Sequence, residues 1–144
     1  TDEKVARAKA LGADFVINHK TQEIAKEVRK ITDGKGADIV FEHVGAATWT
    51  QSLKSLAFGG KIVTCGATTG ADVSINLTHL FIKHQQIIGS TMGPPAALAK
   101  VFKLAGEGKL KPVIDKVFKF SEVQEAHRCL EGRGQFGKIV LVPG

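Results

Sequence analysis

The sequence predicts an α/β fold with a mainly parallel sheet, and three observations support this prediction. Helical and strand-like segments alternate along the chain of 144 residues. The predicted helices that separate strands are about ten residues long, which suits the crossover helices that join parallel strands. Two strand-like segments are continuously apolar, Ile39-Val40-Phe41 and Ile87-Ile88, as is typical of parallel strands covered on both faces.

Each predicted helix combines apolar residues at helical spacing with a start or stop signal. The predicted helices span residues 3–11, 22–31, 47–57, 96–105 and 122–131. Gly12 stops the first, Thr21 is expected to cap the second, and Pro94-Pro95 opens the fourth. The pattern Ser121-x-x-Gln124 predicts a capping box for the last.

The predicted strands are short runs rich in β-branched or aromatic residues. They span residues 14–18, 37–44, 61–65, 73–77, 85–90, 113–120 and 138–142. Two of them run into a glycine, Gly45 and Gly66, and the strand at 85–90 has Gly89 near its end. Ligands bind outside the carboxyl ends of parallel strands, and glycine lets backbone approach a ligand closely. These glycines therefore predict a crevice, although each one taken alone is also explained by a tight turn.

Composition disfavours several classes of protein. The chain has 20 basic and 14 acidic residues, but its lysines are dispersed, tyrosine is absent and Trp49 has no basic neighbours. This pattern disfavours nucleic acid as a partner. The longest run without Asp, Glu, Lys or Arg covers residues 84–99, which is shorter than a membrane span, and no membrane partner is predicted. Cys65 and Cys129 form no CxxC pair, so we expect a reducing, cytoplasmic location.

Single chemically reactive residues give little evidence of catalysis. His79 and His84 are five positions apart, about 140° around a helix, and therefore do not share a face. His43 and Cys65 lie on different predicted strands without zinc-like spacing, and no G-x-S-x-G elbow occurs. We therefore predict neither a metal site nor a catalytic residue within this chain.

Several segments in order along the chain resemble the medium-chain dehydrogenase/reductase superfamily, which includes zinc-type alcohol dehydrogenases and quinone oxidoreductases. The segments that carry the resemblance are VARAKALGAD at 5–14, GGKIV at 59–63, Gly66, Gly89-Ser90 and GKIVL at 137–141. The resemblance implies a partial doubly wound (Rossmann) parallel sheet with a C-terminal return segment. It also implies an incomplete dinucleotide-binding domain at 1–110 and a segment at 111–144 that packs on a catalytic domain.

The same resemblance implies NAD or NADP as cofactor and hydride transfer between nicotinamide and an alcohol, aldehyde or ketone. A zinc-free quinone or enoyl reductase is the alternative, and a non-catalytic nucleotide- or RNA-binding relative is the alternative from another class. Zinc in the complete enzyme is left open, with its ligands outside this chain. A homodimer or homotetramer is expected, because 73–77 and 85–90 match segments that extend the sheet across a subunit interface in related enzymes.

The resemblance implies five groups of cofactor-binding residues. They are Val44 and Gly45 lining the cofactor, Cys65, Gly66 and Ala67 packing against nicotinamide, Ser90, Thr91 and Met92 holding its carboxamide, Lys4 and Thr1 beside the adenosine ribose, and Lys138 near the pyrophosphate.

The chain departs from the family pattern because no GxGxxG turn in it follows a predicted strand and opens a helix. In the sheet order 3-2-1-4-5-6, residues 14–18 would be strand 3 and residues 37–44 strand 4, and the two strands between them are missing. We therefore expect a segment of a longer polypeptide whose N-terminal part is a partner of this chain. We also expect an apolar edge at 37–44, and no activity and very weak cofactor binding by the chain alone.

Overall fold

A computed structural model describes residues 1–144 as two compact units, Thr1–Met92 and Gly93–Gly144. These units are defined by internal contacts, whereas the predicted domains 1–110 and 111–144 are defined by what they would bind. The predicted domain division therefore stays a prediction. None of the helices has the length and apolar character needed to cross a lipid bilayer.

The first unit alternates helices and strands, as predicted. Its elements are α1 (Asp2–Ala10), α2 (Ile24–Ile31), β1 (Ala37–Glu42), α3 (Ala46–Ser55), β2 (Leu56–Thr64), α4 (Leu77–Ile82) and β3 (Gln86–Gly89). The strands form one parallel sheet in the order β1-β2-β3. The prediction of an α/β fold with a parallel sheet is confirmed.

The core of the first unit lies between α3 and one face of this sheet. Trp49, Leu56 and Ile62 form its buried centre. Ile62 is 0% exposed because β2 is the middle strand and is flanked on both sides. Val40 and Ile87, its register partners on β1 and β3, pack against the same cluster.

The second unit contains a separate two-stranded parallel sheet. Its elements are α5 (Pro95–Gly106), β4 (Ile114–Lys119), a 3₁₀ turn (Phe120–Glu122), α6 (Val123–Glu131) and β5 (Lys138–Val142). Helix α6 is the connection between the two paired strands, and Ala126 is its buried residue.

Two predicted strands are absent. Residues 14–18 are irregular and pair with no strand. A strand needs a neighbouring strand for its backbone hydrogen bonds, and this segment has none. Asn18 instead donates from Nδ2 to Asp2 Oδ1 at 2.8 Å, which ties the loop to α1. Residues 73–76 are also irregular, and Leu77 begins α4 with Asn76 as its cap.

Two predicted caps are wrong as well. Thr21 donates its hydroxyl to the Asn18 carbonyl, and the first turn of α2 is held by Gln51 of α3, whose Oε1 accepts from the Ala25 amide at 3.1 Å. Ser121 lies inside the 3₁₀ turn, where Glu122 accepts from the Lys119 amide at 2.7 Å. The acceptor for α2 comes from a distant helix, so no local pattern shows it.

Strands of the sheet also begin or end at residues other than those predicted. The strand predicted at 37–44 ends at Glu42, and the strand predicted at 61–65 begins at Leu56. The pairing register shifts between Ala37 and Ile39, where β2 passes through Gly60. A Cβ at Gly60 would lie 2.9 Å from the Ala37 carbonyl oxygen, so glycine permits this close approach of the two strands.

Candidate nicotinamide site

A cavity of about 460 Å³ lies at the carboxyl ends of β2 and β3. Its lining contains the predicted residues that follow these two strands. The lining residues are Thr64, Cys65, Gly66, Ala67, Gly89, Ser90 and Thr91. The structure therefore brings together the segments predicted to pack against nicotinamide and to hold its carboxamide.

The turn after β1 is bonded to the loop after β2. The Val44 carbonyl accepts from both the amide and the hydroxyl of Thr69 at 2.8 Å, and the Ala46 amide donates to the Gly70 carbonyl at 3.1 Å. Gly45 has φ +92°, and a Cβ on it would lie 2.4 Å from the Gly70 oxygen. Because no other residue fits here without displacing the loop, Gly45 fixes the path of both segments.

Gly66 makes a similar close approach to the end of β1. A Cβ on Gly66 would lie 2.9 Å from the His43 carbonyl oxygen, and the neighbouring Cys65 amide donates to the backbone carbonyl of Glu42 at 3.1 Å. The Cys65 thiol is free and exposed. The backbone on this side of the cavity is thus held against β1.

Glu42 is the residue of this region that the sequence reasoning missed. It ends β1, is only 3% exposed, and accepts hydrogen bonds from the amides of Val44 (2.7 Å) and Gly45 (3.2 Å). The Thr48 hydroxyl donates to it at 3.0 Å, and the Ser52 hydroxyl donates to its other oxygen. The sequence does indicate one part of this arrangement. Thr48 and Ser52 are four positions apart, so their hydroxyls share one face of α3.

These contacts hold Glu42 in its charged form. Burial by itself raises the pKa of a carboxyl group, but the hydrogen bonds from Ser52, the Val44 and Gly45 amides and Thr48 together outweigh it. The pKa of Glu42 is therefore below the ordinary value for glutamate. A buried carboxylate thus anchors the turn that carries Val44 and Gly45.

The cavity has hydrogen-bonding groups that the chain itself does not use. The amides of Gly66, Ala67 and Thr91 donate to no other group of the protein, and the hydroxyls of Ser90 and Thr91 make no hydrogen bond. A carboxamide has an acceptor oxygen and a donor nitrogen, so it matches this mixed lining. The residues present therefore fit the amide-bearing ring of a nicotinamide cofactor.

The other predicted binding residues lie elsewhere. Met92 is 94% exposed and is not part of the cavity lining. Thr1 caps α1, where its hydroxyl accepts from the Lys4 amide at 3.3 Å. Lys138 begins β5 in the second unit, and its amide donates to Val113. The cofactor roles of these residues stay predictions.

No group of three or more His, Cys, Asp or Glu side chains is placed to hold a metal ion anywhere in residues 1–144.

Comparison with known proteins identifies the family. The sequence model described as "Zinc-binding dehydrogenase" matches residues 11–141. The chain belongs to the zinc-binding dehydrogenase family. The resemblance to medium-chain dehydrogenases and reductases is thereby confirmed.

Two relatives are similar to almost the whole chain. An NAD-dependent alcohol dehydrogenase of Saccharolobus solfataricus is 36% identical over 143 residues, which are 99% of this chain and 41% of the relative. An acryloyl-coenzyme A reductase of Sulfurisphaera tokodaii is 30% identical over 145 residues, 99% of this chain and 42% of the relative. This chain therefore spans about two fifths of their length.

Solved structures agree with this relationship. An NAD-dependent alcohol dehydrogenase superposes with a TM-score of 0.90 at 42% identity, covering 100% of this chain and 42% of that protein. A quinone oxidoreductase of Pseudomonas syringae superposes with a TM-score of 0.83 at 32% identity, covering 99% of this chain and 47% of that protein. The fold is thus that of the corresponding part of these dehydrogenases.

Proposed function

We propose that this chain is the nicotinamide-holding part of an NAD(P)-dependent oxidoreductase that transfers a hydride between nicotinamide and an alcohol, aldehyde or ketone. The observation that carries the proposal is the cavity at the ends of β2 and β3, with its unused amides and hydroxyls. The similarity to NAD-dependent alcohol dehydrogenases supports the identity of the cofactor class.

In this proposal the protein binds and orients one ring. Cys65 and Ala67 contact its face, while Ser90 and the Thr91 amide hold its carboxamide. Gly66 keeps the backbone close enough for this contact. When bound, nicotinamide supplies the hydride acceptor or donor. The residues of the cavity exclude water from one side of the ring and fix its orientation, which is how positioning lowers the barrier to hydride transfer.

The turn after β1 has a supporting role. Glu42 fixes Val44 and Gly45 through their amides, so these residues present a fixed surface to the cofactor. Thr1 and Lys4 near the adenosine ribose, Met92 at the carboxamide and Lys138 near the pyrophosphate complete the proposed set. The choice between NAD and NADP depends on residues beyond this set.

A reductase of activated double bonds is the second candidate. It is favoured by the similarity to a 2-haloacrylate reductase of Burkholderia, 31% identical over 153 residues, and to the acryloyl-coenzyme A reductase. Any zinc that the complete enzyme uses would be held by ligands outside this chain. Metal analysis of the complete enzyme, together with turnover of ethanol against an acrylate ester, separates the two candidates.

We further propose a cytoplasmic homodimer or homotetramer. Both cysteines are free, which suits a reducing compartment. The outer edge of β3 is unpaired and is available for pairing across a two-fold axis. Light scattering on the complete enzyme tests the assembly, and a monomer would contradict it.

The binding site is tested by filling the cavity. Ala67 lines the cavity, and Ala71 lies four residues further along, outside it. We expect Ala67→Leu in the complete enzyme to raise KM for the nicotinamide cofactor about tenfold or more, since the added atoms occupy space the ring needs. Ala71→Leu is the matched control and should leave KM unchanged.

The two variants also separate binding from folding. Thermal unfolding of Ala67→Leu without cofactor should match that of the unsubstituted protein, since Ala67 is exposed. An unchanged cofactor KM in Ala67→Leu would contradict the proposed site. Absence of any NAD(P)-dependent turnover would favour the non-catalytic nucleotide- or RNA-binding alternative.

A further inference from the structure

A second and larger cavity lies against the helices of the first unit. Its volume is about 880 Å³, and it shares no lining residue with the cavity at the strand ends. It is bounded by α2, α3, α4 and the segments that flank α4.

The cavity has an apolar component formed by four side chains. Ala25 is buried, Leu53 and Leu80 are half-buried, and Ile75 is exposed at the margin. Leu53 also packs on the core cluster. An apolar body placed here would remove these side chains from water, which is favourable in proportion to the area covered.

The cavity also carries an excess of positive charge. Four basic residues line it, Lys26, Arg29, Lys54 and Lys83, against one carboxylate, Glu23. No salt bridge involves any of the three lysines. Unpaired charges of one sign around a concave surface raise the local concentration of counter-ions of the opposite sign.

One of these cations is fixed in place. Arg29 donates from Nη1 to the Gly34 carbonyl at 2.8 Å and from Nη2 to the carbonyls of Lys54 (3.2 Å) and Leu56 (3.4 Å). These acceptors are neutral, so the guanidinium charge is positioned but is not neutralised. The positive potential on this side of the cavity therefore does not depend on a flexible side chain.

We propose that this cavity binds a small anionic amphiphile, that is, a carboxylate, phosphate or sulfate group attached to an apolar body. The apolar body lies on Leu53, Leu80 and Ala25, and the anionic group faces Lys54 and Lys83. The volume lies within the range of small-molecule sites, and the concave shape favours a small ligand over a protein surface. The proposal does not depend on the cofactor site.

The test compares two probes with the same tail and opposite charge. Decanoate and decyltrimethylammonium, each below its micellar concentration, are titrated into the ¹⁵N-labelled protein in its complete form. Decanoate should shift the amide resonances of residues 23–29, 50–54 and 74–85 in a saturable way, and salt should weaken its binding. Decyltrimethylammonium should not shift them.

Charge reversal locates the anionic group. The double variant Lys54→Glu/Lys83→Glu should weaken decanoate binding about tenfold or more, as expected for the loss and reversal of two partly exposed charges. Lys100→Glu/Lys111→Glu makes the same charge change at exposed positions of the second unit, outside the cavity, and should stay within about twofold of the unsubstituted protein. Circular dichroism confirms that both variants are folded.

Three results would overturn the proposal. The first is equal binding of the two probes, and the second is a set of shifts centred on the exposed face of β1 instead of the cavity. The third is binding of an acidic helical peptide at these residues without binding of decanoate, which would make the cavity a protein-docking groove.

Discussion

At the scale of single residues, Glu42 shows how a charge becomes part of a folded backbone. A carboxylate removed from water costs several kcal/mol unless hydrogen bonds replace its hydration. Here two amides and two hydroxyls replace it, and both amides belong to the turn that follows. Glu42, a charged residue at the end of an apolar strand, therefore anchors the Val44–Gly45 turn.

Replacing this charge should destabilise the protein. We expect Glu42→Gln to lower the free energy of unfolding by about 1–2 kcal/mol, because the amide nitrogen cannot accept from the Ser52 hydroxyl. Asp38→Asn, at an exposed position of the same strand, is the control and should change stability by less than about 0.5 kcal/mol. Urea unfolding measures both, and an equal effect of the two substitutions would contradict this role for Glu42.

The lowered pKa of Glu42 gives this contribution a defined pH dependence. A group whose pKa is lower in the folded state stabilises that state above its unfolded pKa, about 4.3 for glutamate, and loses the effect as pH falls through the folded pKa. The stability difference between the unsubstituted protein and Glu42→Gln should therefore be full at neutral pH and shrink in acid. A difference that grows on acidification would show the opposite sign of pKa shift.

A substitution at Gly45 should also destabilise the protein. Its positive φ and the approach of the Gly70 oxygen both oppose a side chain. Gly45→Ala should cost at least about 1–3 kcal/mol of unfolding free energy. Gly89→Ala is the matched control, because a Cβ there meets nothing within 4 Å. Thermal or urea unfolding compares them, and similar losses for both would show that the turn is not constrained.

At the scale of elements, the sheet is covered on only one face. Val40 and Ile87 contact the core, whereas Ile39, Phe41 and Ile88 are exposed on the opposite side. The continuous apolar runs had predicted strands buried on both faces. No strand of the chain pairs with the outer side of β1. Apolar strand edges of this kind promote association between chains.

We expect the exposed face of β1 to drive self-association of the 144-residue chain. Phe41→Lys should reduce the associated fraction measured by sedimentation velocity, because a charged side chain on an unpaired edge strand opposes its pairing with another chain. Phe15→Lys is the matched control: both phenylalanines are 65% exposed, but Phe15 lies outside the sheet. Equal effects of the two substitutions would mean that general hydrophobicity, and not the strand, causes association.

At the scale of the whole molecule, the two units carry different parts of the proposed function. The first unit holds the cavity with its unused amides, and the second contains Lys138 on a separate sheet. The chain matches about two fifths of the length of its relatives, and no G-x-G-x-x-G turn in it leads from a strand into a helix. A dinucleotide held only by its nicotinamide end lacks the contacts that helix N-termini provide to the pyrophosphate.

Because these pyrophosphate contacts are missing, we expect the isolated chain to bind the cofactor weakly. Calorimetric titration of the 144-residue chain with NAD or NADP should give no saturable heat below about 1 mM. The complete enzyme, titrated in parallel, should bind at least tenfold more tightly. Tight binding by the chain alone would show that the pyrophosphate is held by residues within 1–144.

Much of this fold was predictable from local patterns, because helix periodicity, glycine stops and β-branched runs act over a few residues. All five predicted helices and five of the seven predicted strands are present, and all of them except the strand at 138–142 have shifted ends. The two strands that fail, at 14–18 and 73–77, have suitable residues but no neighbouring strand to bond with. The crevice at Gly66 and Gly89 was also predictable, since parallel strands end at one edge.

By itself, then, the sequence determined the order of helices and strands, the α/β class and the family, because each depends on residue type and spacing along the chain. Only the tertiary structure decided which strands pair, that Gln51 caps α2, that Glu42 anchors the Val44–Gly45 turn, and that the lysines of three segments surround one cavity. The physical reason is that burial and hydrogen bonding join residues distant in sequence, and their contact exists only once the chain has folded.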